Sequence, residues 1–498
     1  MARATLIATL AEPPSDDGQE LRGLGAADWL EVRADRVGDL DPDWLRQRFP
    51  GRLLYTLRSV EEGGGFGGGE EERQRRLLAA AGRGYDAIDL EAERDLTPRI
   101  LAGLAAERRF LSWHGPAPEM AELRERAERM LATGAALCKL VPTAAEVGET
   151  LRPLALLRSL GRGDLVAFAG GPLGVWTRLV APRLGAPVVY AAAGDIPGAP
   201  GQPTLRRLIG DFGLPELPAA TQLCGVVGNP IAHSLSPRLH NALYRATGVP
   251  FLYLPFCAES FGDFWLEIVE SGSLAELGLP WRGLSVTAPF KPAALAVAGA
   301  TSPLAERVGG ANTLVLTDGV WEAESTDPLG VVVPLELRGL RLRDRRALVV
   351  GCGGAGRAAA VGLLQAGAEV VLTNRGEARG RAAAEELGTV FAPLAEIELG
   401  RFSVVVNATS LGRGEDDPLP FDPDRLSADA AVVDMVYEEG PTRLVRAARQ
   451  RSLAVVDGRE VLLQQGLAQF RLMTGREAPP AAGLAALGLE GPAGGGPR

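Results

Sequence analysis

Eight short apolar runs alternate with helical segments rich in Arg, Glu, Ala and Leu over roughly the first 215 residues. The runs cover 4–10, 28–33, 52–58, 85–91, 109–114, 136–141, 164–168 and 187–192. Strands separated by helix-length segments pair in parallel, because the chain must cross back before it can pair again. Eight such units are what a (β/α)8 barrel requires, with a doubly wound open sheet as the alternative. A barrel keeps its reactive side chains where strands end. Glu31 and Arg33 end the second run, Arg58 the third, Glu91 the fourth, His114 the fifth and Lys139 the sixth. Packing alone does not explain polar residues at consecutive strand ends.

Composition singles out one of them. Lys and Arg total 52, and all but Lys139 and Lys291 are arginine. Arginine stays protonated at working pH, whereas a desolvated lysine can attack a carbonyl or move a proton. The two lysines are therefore candidate reactive groups. A net charge of −10 argues against general nucleic-acid binding. With four dispersed cysteines and three histidines, neither a disulfide framework nor a metal site is expected. No apolar run is long enough for a membrane span, and a leader segment is not evident, so a cytoplasmic setting is expected.

A Pro/Gly stretch at 213–218 ends the alternation and is expected to be a linker. The expected organisation is a barrel over 1–215, an α/β domain over 222–328 completed by 459–477, a dinucleotide-binding domain over 329–458, and a flexible tail over 478–498. The last domain rests on Gly351-Cys-Gly353-Gly354-Ala355-Gly356, a GxGxxG turn after the apolar strand 346–350 and before an Ala-rich helix. Its amides and helix N-terminus suit a pyrophosphate. The next strand ends in Asn374-Arg375 with Arg379 beyond, where an acidic residue would otherwise meet a ribose hydroxyl. Two arginines there favour a 2′-phosphate, hence NADP. Upstream, Ser234 and Ser236 offer two hydroxyls, and Lys291 follows a strand in a Pro-flanked turn, with Asp327 as its candidate carboxylate partner.

The segments Glu31-Val-Arg33, Thr56-Leu-Arg58, Glu62-Gly-Gly64, Asp89-Leu-Glu91, Ser112-Trp-His114, Cys138-Lys139, Thr177-Arg178 and Pro200-Gly-Gln202 occur in order. Together they resemble the type I 3-dehydroquinate dehydratases over residues 3–212. That resemblance implies metal-free loss of water from 3-dehydroquinate. Lys139 would form an imine and His114 would shuttle the proton, oriented by Glu62 or Glu91. Arg178 would hold the substrate carboxylate and Gln202 would cover the ring, with Glu31, Arg33 and Arg58 also around the substrate. Gly115 and Gly198 depart from the usual Asp and Ser, and the glycine run 63–69 is expected to form a flexible loop.

Ser234, Ser236, Ser285-Val-Thr287, Lys291, Gly310-Ala-Asn312, Asp327, Asn407-Ala-Thr409, Asp434-Met-Val-Tyr437 and Gln465-Gly466 resemble shikimate dehydrogenase over residues 222–476. This implies reduction of 3-dehydroshikimate to shikimate by NADPH. Lys291 and Asp327 would form the acid/base pair. Substrate would meet Ser234, Ser236, Thr287, Asn312, Tyr437 and Gln465; cofactor would meet the glycine turn, Asn374, Arg375, Arg379, Asn407 and Thr409. Ser285 and Ser325 replace the usual Asn. His233, beside the serines, is expected to be a loop residue rather than a base. The partners expected are small-molecule substrates, not nucleic acid or membrane, and homo-oligomerisation is left open. Two alternatives stand beside this reading: a non-catalytic barrel serving regulation or assembly, and a quinate/shikimate dehydrogenase using NAD.

Overall fold

The computed structural model describes residues 2–414 and 416–490. By its internal contacts the chain divides into two compact units, residues 1–222 with 254–280, and residues 223–253 with 281–498. Residues 254–280 thus group with the barrel by contact, rather than with the rest of the expected 222–328 segment.

The first unit contains the eight expected strands: β1 (Thr5–Leu10), β2 (Trp29–Arg33), β3 (Arg52–Thr56), β4 (Ala87–Glu91), β5 (Arg109–Pro116), β6 (Leu137–Thr143), β7 (Leu165–Ala167) and β8 (Val188–Ala192). They pair in the order β7-β6-β5-β4-β3-β2-β1-β8, all parallel, which makes a near-closed barrel. Strand side chains alternate between faces. On β4, Asp89 and Glu91 therefore share a face, and Glu31 and Arg33 do likewise on β2.

Two expectations change in this unit. The stretch expected as a linker is tied to the barrel, because Glu216–Leu217 pair antiparallel with Ala2–Arg3 and Arg183 Nη1 donates to Pro218 O at 2.5 Å. The glycine run expected to be flexible is pinned at several points. Phe66 N donates to Arg58 O at 3.0 Å, Val60 N to Phe66 O at 3.1 Å, and Gly64 N to Ser59 O at 2.6 Å. The Phe66 ring is buried with the Arg73 and Arg76 guanidiniums each 5.7 Å from its centroid. One aromatic anchor outweighs the freedom of its glycine neighbours.

The second unit includes two sheets. The strands of the first are β9 (Gln222–Gly228), β10 (Phe251–Cys257), β11 (Trp281–Val286), β12 (Ala300–Thr301), β13 (Thr313–Thr317) and β14 (Val320–Glu324), in the order β10-β9-β11-β13-β14-β12. The contact boundary between the units falls within β10. The second sheet comprises β15 (Arg346–Val350), β16 (Glu369–Thr373), β17 (Val390–Phe391), β18 (Val404–Asn407), β19 (Ala431–Asp434) and β20 (Ala454–Val456), ordered β17-β16-β15-β18-β19-β20 and entirely parallel. Ala347 and Val349 join one apolar cluster while Leu348 and Val350 join another. Period-2 apolar residues with both faces covered are why β15 is a continuous apolar run. The order reverses between β15 and β18, and ligands of doubly wound sheets bind at the strand ends beside that switch.

Helix α1 (Gly458–Thr474) is fixed at its start by a capping box between Asp457 and Glu460. It returns to the first sheet of this unit, where Gln469 Nε2 donates to Asn312 O at 3.1 Å. The tail expected to be flexible begins instead with helix α2 (Pro480–Ala486), whose Gly483 is buried. A Cβ at Gly483 would stand 2.4 Å from Leu463 Cδ1, so this weakly periodic segment docks through a glycine contact that hydrophobic patterning does not reveal. Residues 491–498 of the expected tail lie outside the described residues. No described helix is long and apolar enough to cross a membrane.

Candidate active sites

In the first unit the polar strand ends converge. Arg58 is the hub of a buried carboxylate cluster. Its Nη2 donates to Asp89 Oδ1 at 2.6 Å, and its Nη1 reaches Glu62 Oε2 at 2.8 Å and Glu91 Oε1 at 3.4 Å. Gly64 brings the chain back against this hub, since a Cβ there would meet Arg58 O at 2.2 Å. The close approach carries Glu62 under His114, with Nδ1 and Oε2 2.9 Å apart. Glu62, not Glu91, is the carboxylate beside the imidazole. Glu91 accepts instead from Ser59 N at 2.7 Å.

Lys139 is buried, with Nζ 3.6 Å from Asp89 Oδ2 and 4.3 Å from the centroid of the Tyr190 ring. Burial pulls its ammonium below the usual value, and the Asp89 and Glu31 carboxylates oppose that without cancelling it. His114 is also held well below the usual imidazole value, first by burial and then by the Arg58 and Lys139 charges. Glu62 moves the other way. Burial pushes its carboxyl up to about 8 against the pull of Arg58. Near neutral pH this desolvated pocket therefore favours a neutral imidazole and a protonated Glu62.

Arg178 is buried over the Phe168 ring at 4.2 Å, and burial lowers its guanidinium to about 10. Its Nε has no hydrogen-bond partner among the described residues. Arg33 pairs with Asp35 at 2.7 Å and donates to Gly198 O at 2.6 Å. Glu31 accepts from Thr9 and Thr56 hydroxyls at 2.6 and 2.8 Å, and Gln202 reaches Thr9 at 3.0 Å. Asp89, Thr9, Tyr190 and Asp35 had no role in the sequence reading. Alternation on β4, which puts Asp89 on the Glu91 face, was a usable signal for the first.

In the second unit Lys291 Nζ donates to Asp327 Oδ2 at 2.5 Å. The carboxylate's other oxygen accepts from Asn312 Nδ2 at 2.8 Å, and the same amide lies 3.2 Å from Gln465 Oε1. Asn312 is buried and its Oδ1 accepts from Thr326 N at 2.8 Å, which fixes its orientation. Ser234 and Ser236 are buried; Tyr437 hydrogen-bonds Ser234, and Asp327 is close enough to act on its phenol electrostatically. Thr287 N donates to Val227 O at 3.0 Å, which holds the turn leading to Lys291.

Ser285 turns inward, accepting from the Tyr253 hydroxyl at 2.6 Å and reaching Gln469 Oε1 at 3.0 Å. Gln469 was missed, although it follows Gln465 by four residues on one helix face. His240 stacks on Tyr253 at 4.3 Å, and burial lowers it to about 4, a structural imidazole. His233 is exposed.

The glycine turn has a distinct backbone shape. Gly351 has φ +106°, and a Cβ there would meet Ala408 O at 2.8 Å. A Cβ on Gly356 would stand 1.9 Å from Gly351 O, and one on Gly353 would meet nothing within 4 Å. The turn is thus tight behind and open in front, a shape that could admit a pyrophosphate at the N-terminus of helix 354–365. Asn374 Oδ1 accepts from Cys352 N at 3.2 Å, while Arg375 and Arg379 are exposed and make no ion pair among the described residues. Buried Asn407 accepts from the Thr409 hydroxyl at 2.7 Å beside the same turn. Lys291 Cδ would lie 3.5 Å from a Cβ on Gly354, so the lysine and the turn are neighbours. Among the described residues no group of three or more His, Cys, Asp or Glu is arranged to hold a metal ion.

A family model for type I 3-dehydroquinase matches residues 8–210, one for the shikimate dehydrogenase substrate binding domain matches 226–314, and one for the shikimate 5′-dehydrogenase C-terminal domain matches 458–487. The shikimate dehydrogenase (NADP(+)) of Methanothrix thermoacetophila is 39% identical over 256 residues, covering 51% of this chain and 92% of that protein. The chloroplastic bifunctional 3-dehydroquinate dehydratase/shikimate dehydrogenase of Arabidopsis thaliana is 28% identical over 485 residues, covering 91% of this chain and 78% of that one. A solved shikimate dehydrogenase in complex with NADP+ superposes with a TM-score of 0.50 at 26% identity, covering 55% of this chain and 98% of that one. The chain therefore belongs to the family of bifunctional 3-dehydroquinate dehydratase/shikimate dehydrogenases, in which a type I 3-dehydroquinase lyase precedes an NADP-type shikimate dehydrogenase.

Proposed function

We propose that the first unit dehydrates 3-dehydroquinate and the second reduces the product, 3-dehydroshikimate, to shikimate. The observation that carries the reading is that each of the chain's two lysines stands beside one carboxylate in its own polar cluster, Lys139 at 3.6 Å from Asp89 and Lys291 at 2.5 Å from Asp327.

In the first step the neutral Lys139 amine adds to the ring ketone and one water leaves, forming an imine. Burial supports this by depleting the ammonium form, and Asp89 steadies the charge when the imine is protonated. With Arg58 donating to the Glu62 oxygen that faces His114, the imidazole carries its proton on Nδ1 and leaves Nε2 free as a base. His114 takes the proton next to the iminium carbon, then gives it to the departing hydroxyl, which leaves as water. Hydrolysis of the product imine restores Lys139, so the net change is loss of one water. Arg178 holds the carboxylate of the substrate, while Arg33, Glu31, Arg58 and Gln202 surround its ring and hydroxyls.

In the second step a bound NADPH would supply hydride chemistry at the ring carbonyl carbon. Gly351, Gly353, Gly354, Ala355 and Gly356 would hold its pyrophosphate, Asn374, Arg375 and Arg379 its 2′-phosphorylated ribose, and Asn407 and Thr409 would line the turn. Lys291 delivers a proton to the carbonyl oxygen and Asp327 replenishes it. Ser234, Ser236, Thr287, Asn312, Tyr437 and Gln465 fix the substrate's carboxylate and hydroxyls.

Borohydride reduction of the full-length protein with 3-dehydroquinate tests the first step. A mass adduct on Lys139 is expected, and an adduct elsewhere or none would overturn it. Supplying 3-dehydroquinate with NADPH is expected to yield shikimate.

A further inference from the structure

Position 198 in the barrel has no room for a side chain. A Cβ built on Gly198 would stand 2.5 Å from Thr9 Cγ2 and 3.0 Å from Gln202 Oε1. The space is already taken by the methyl of Thr9, a buried residue on β1. The Thr9 hydroxyl is equally committed. Its hydrogen goes to Glu31 Oε2 at 2.6 Å, and its oxygen accepts from Gln202 Nε2 at 3.0 Å. Gln202 Oε1 then accepts from Gly198 N at 2.8 Å, and Gly198 O accepts from Arg33 Nη1 at 2.6 Å. The hydrogen bonds run Glu31–Thr9–Gln202–Gly198–Arg33 without a gap, and three of those five residues are ones assigned above to the substrate.

We propose that Thr9 is a positioning residue of the dehydratase site and that glycine at 198 is its steric counterpart. The methyl fills the side of the pocket that a residue at 198 would occupy. The hydroxyl, with its one hydrogen given to Glu31 and a lone pair to Gln202, sets both side chains at once. Thr9 does not itself reach the reacting atoms. It acts through Glu31 and Gln202, so its loss is read in substrate affinity before the chemical step. This rests on the dehydratase reading of the first unit.

The test uses the full-length protein, with dehydration of 3-dehydroquinate as the readout and reduction of 3-dehydroshikimate by the same chain as a control. Thr9→Val keeps the shape but strands two buried polar groups, and a roughly tenfold rise in KM with kcat within about threefold is expected. Gly198→Ser forces a side chain into the methyl's space and is expected to lower kcat/KM at least about tenfold. Combining it with Thr9→Ser, which removes the methyl and keeps the hydroxyl, is expected to recover most of that loss. A wild-type KM in Thr9→Val, or a double variant no better than Gly198→Ser alone, would overturn the proposal. Absence of dehydration by the wild-type protein would instead sink the activity assigned to the barrel. The melting temperature, lowered by Gly198→Ser and restored by Thr9→Ser, reads the steric pairing in either case.

Discussion

His114 Nδ1 lies 2.9 Å from Glu62 Oε2, and burial drives the two groups in opposite directions, the imidazole well below its usual value and the carboxyl up to about 8. A carboxyl raised from its ordinary 4.5 holds a proton in the folded protein that the unfolded chain releases. Its contribution to stability is therefore full below about pH 4.5 and is lost as pH rises through about 8. For the depressed histidine the sign reverses, so stability falls as pH drops below the usual imidazole value. Denaturant unfolding between pH 5 and 9 (set experimentally at roughly unit steps) should show Glu62→Gln flattening the alkaline decline.

The same pair is expected to set the pH dependence of dehydration. When Glu62 ionises near pH 8 it makes His114 a stronger base, so kcat/KM for 3-dehydroquinate should rise through an inflection there. Glu62→Gln is expected to abolish that inflection and lower kcat about 10- to 100-fold. An unchanged inflection in the variant would assign it to another group.

Gly64 sets where Glu62 sits. A methyl there would meet Arg58 O at 2.2 Å, against backbone that cannot swing away. Gly64→Ala is expected to cost about 1–3 kcal/mol, seen as a lower melting temperature, and to impair dehydration while the reduction of 3-dehydroshikimate continues. Gly67→Ala, with nothing within 4 Å of the added carbon, is the matched control and should be nearly silent.

Arg375, just past β16, and Arg379, in the helix Glu377–Leu387 that follows, are exposed and make no ion pair among the described residues. If they hold a 2′-phosphate, replacing both with Gln should raise KM for NADPH about tenfold or more while leaving the poorer reaction with NADH nearly unchanged. Equal effects on both cofactors would point to a general loss of the binding domain.

The barrel was legible because parallel strands and strand-end polar residues both leave periodic traces. All eight runs coincide with observed strands to within a few residues. The dinucleotide turn was legible for a different reason, since close backbone approach admits glycine alone at Gly351 and Gly356. What escaped was set by partners distant in sequence. Asp89 sits two residues before Glu91 on one strand, yet its contact with Lys139 depends on a neighbour fifty residues away. Thr9 looked like one more strand residue until its methyl met Gly198. Composition alone made the 63–69 run look mobile, whereas the buried Phe66 ring anchors it against two arginines. The helix at Pro480–Ala486 docks through Gly483, a contact without hydrophobic periodicity to announce it.

Two lysines serving two separate reactions are tested by comparing Lys139→Arg and Lys291→Arg in the full-length protein. Each is assayed with 3-dehydroquinate and, separately, with 3-dehydroshikimate plus NADPH. Arginine keeps the charge but neither forms an imine nor gives up its proton at working pH. Lys139→Arg should lose dehydration by at least about a thousandfold and keep reduction, whereas Lys291→Arg should convert 3-dehydroquinate only as far as 3-dehydroshikimate. Loss of both activities from either single change, in a protein that still unfolds cooperatively, would contradict the account.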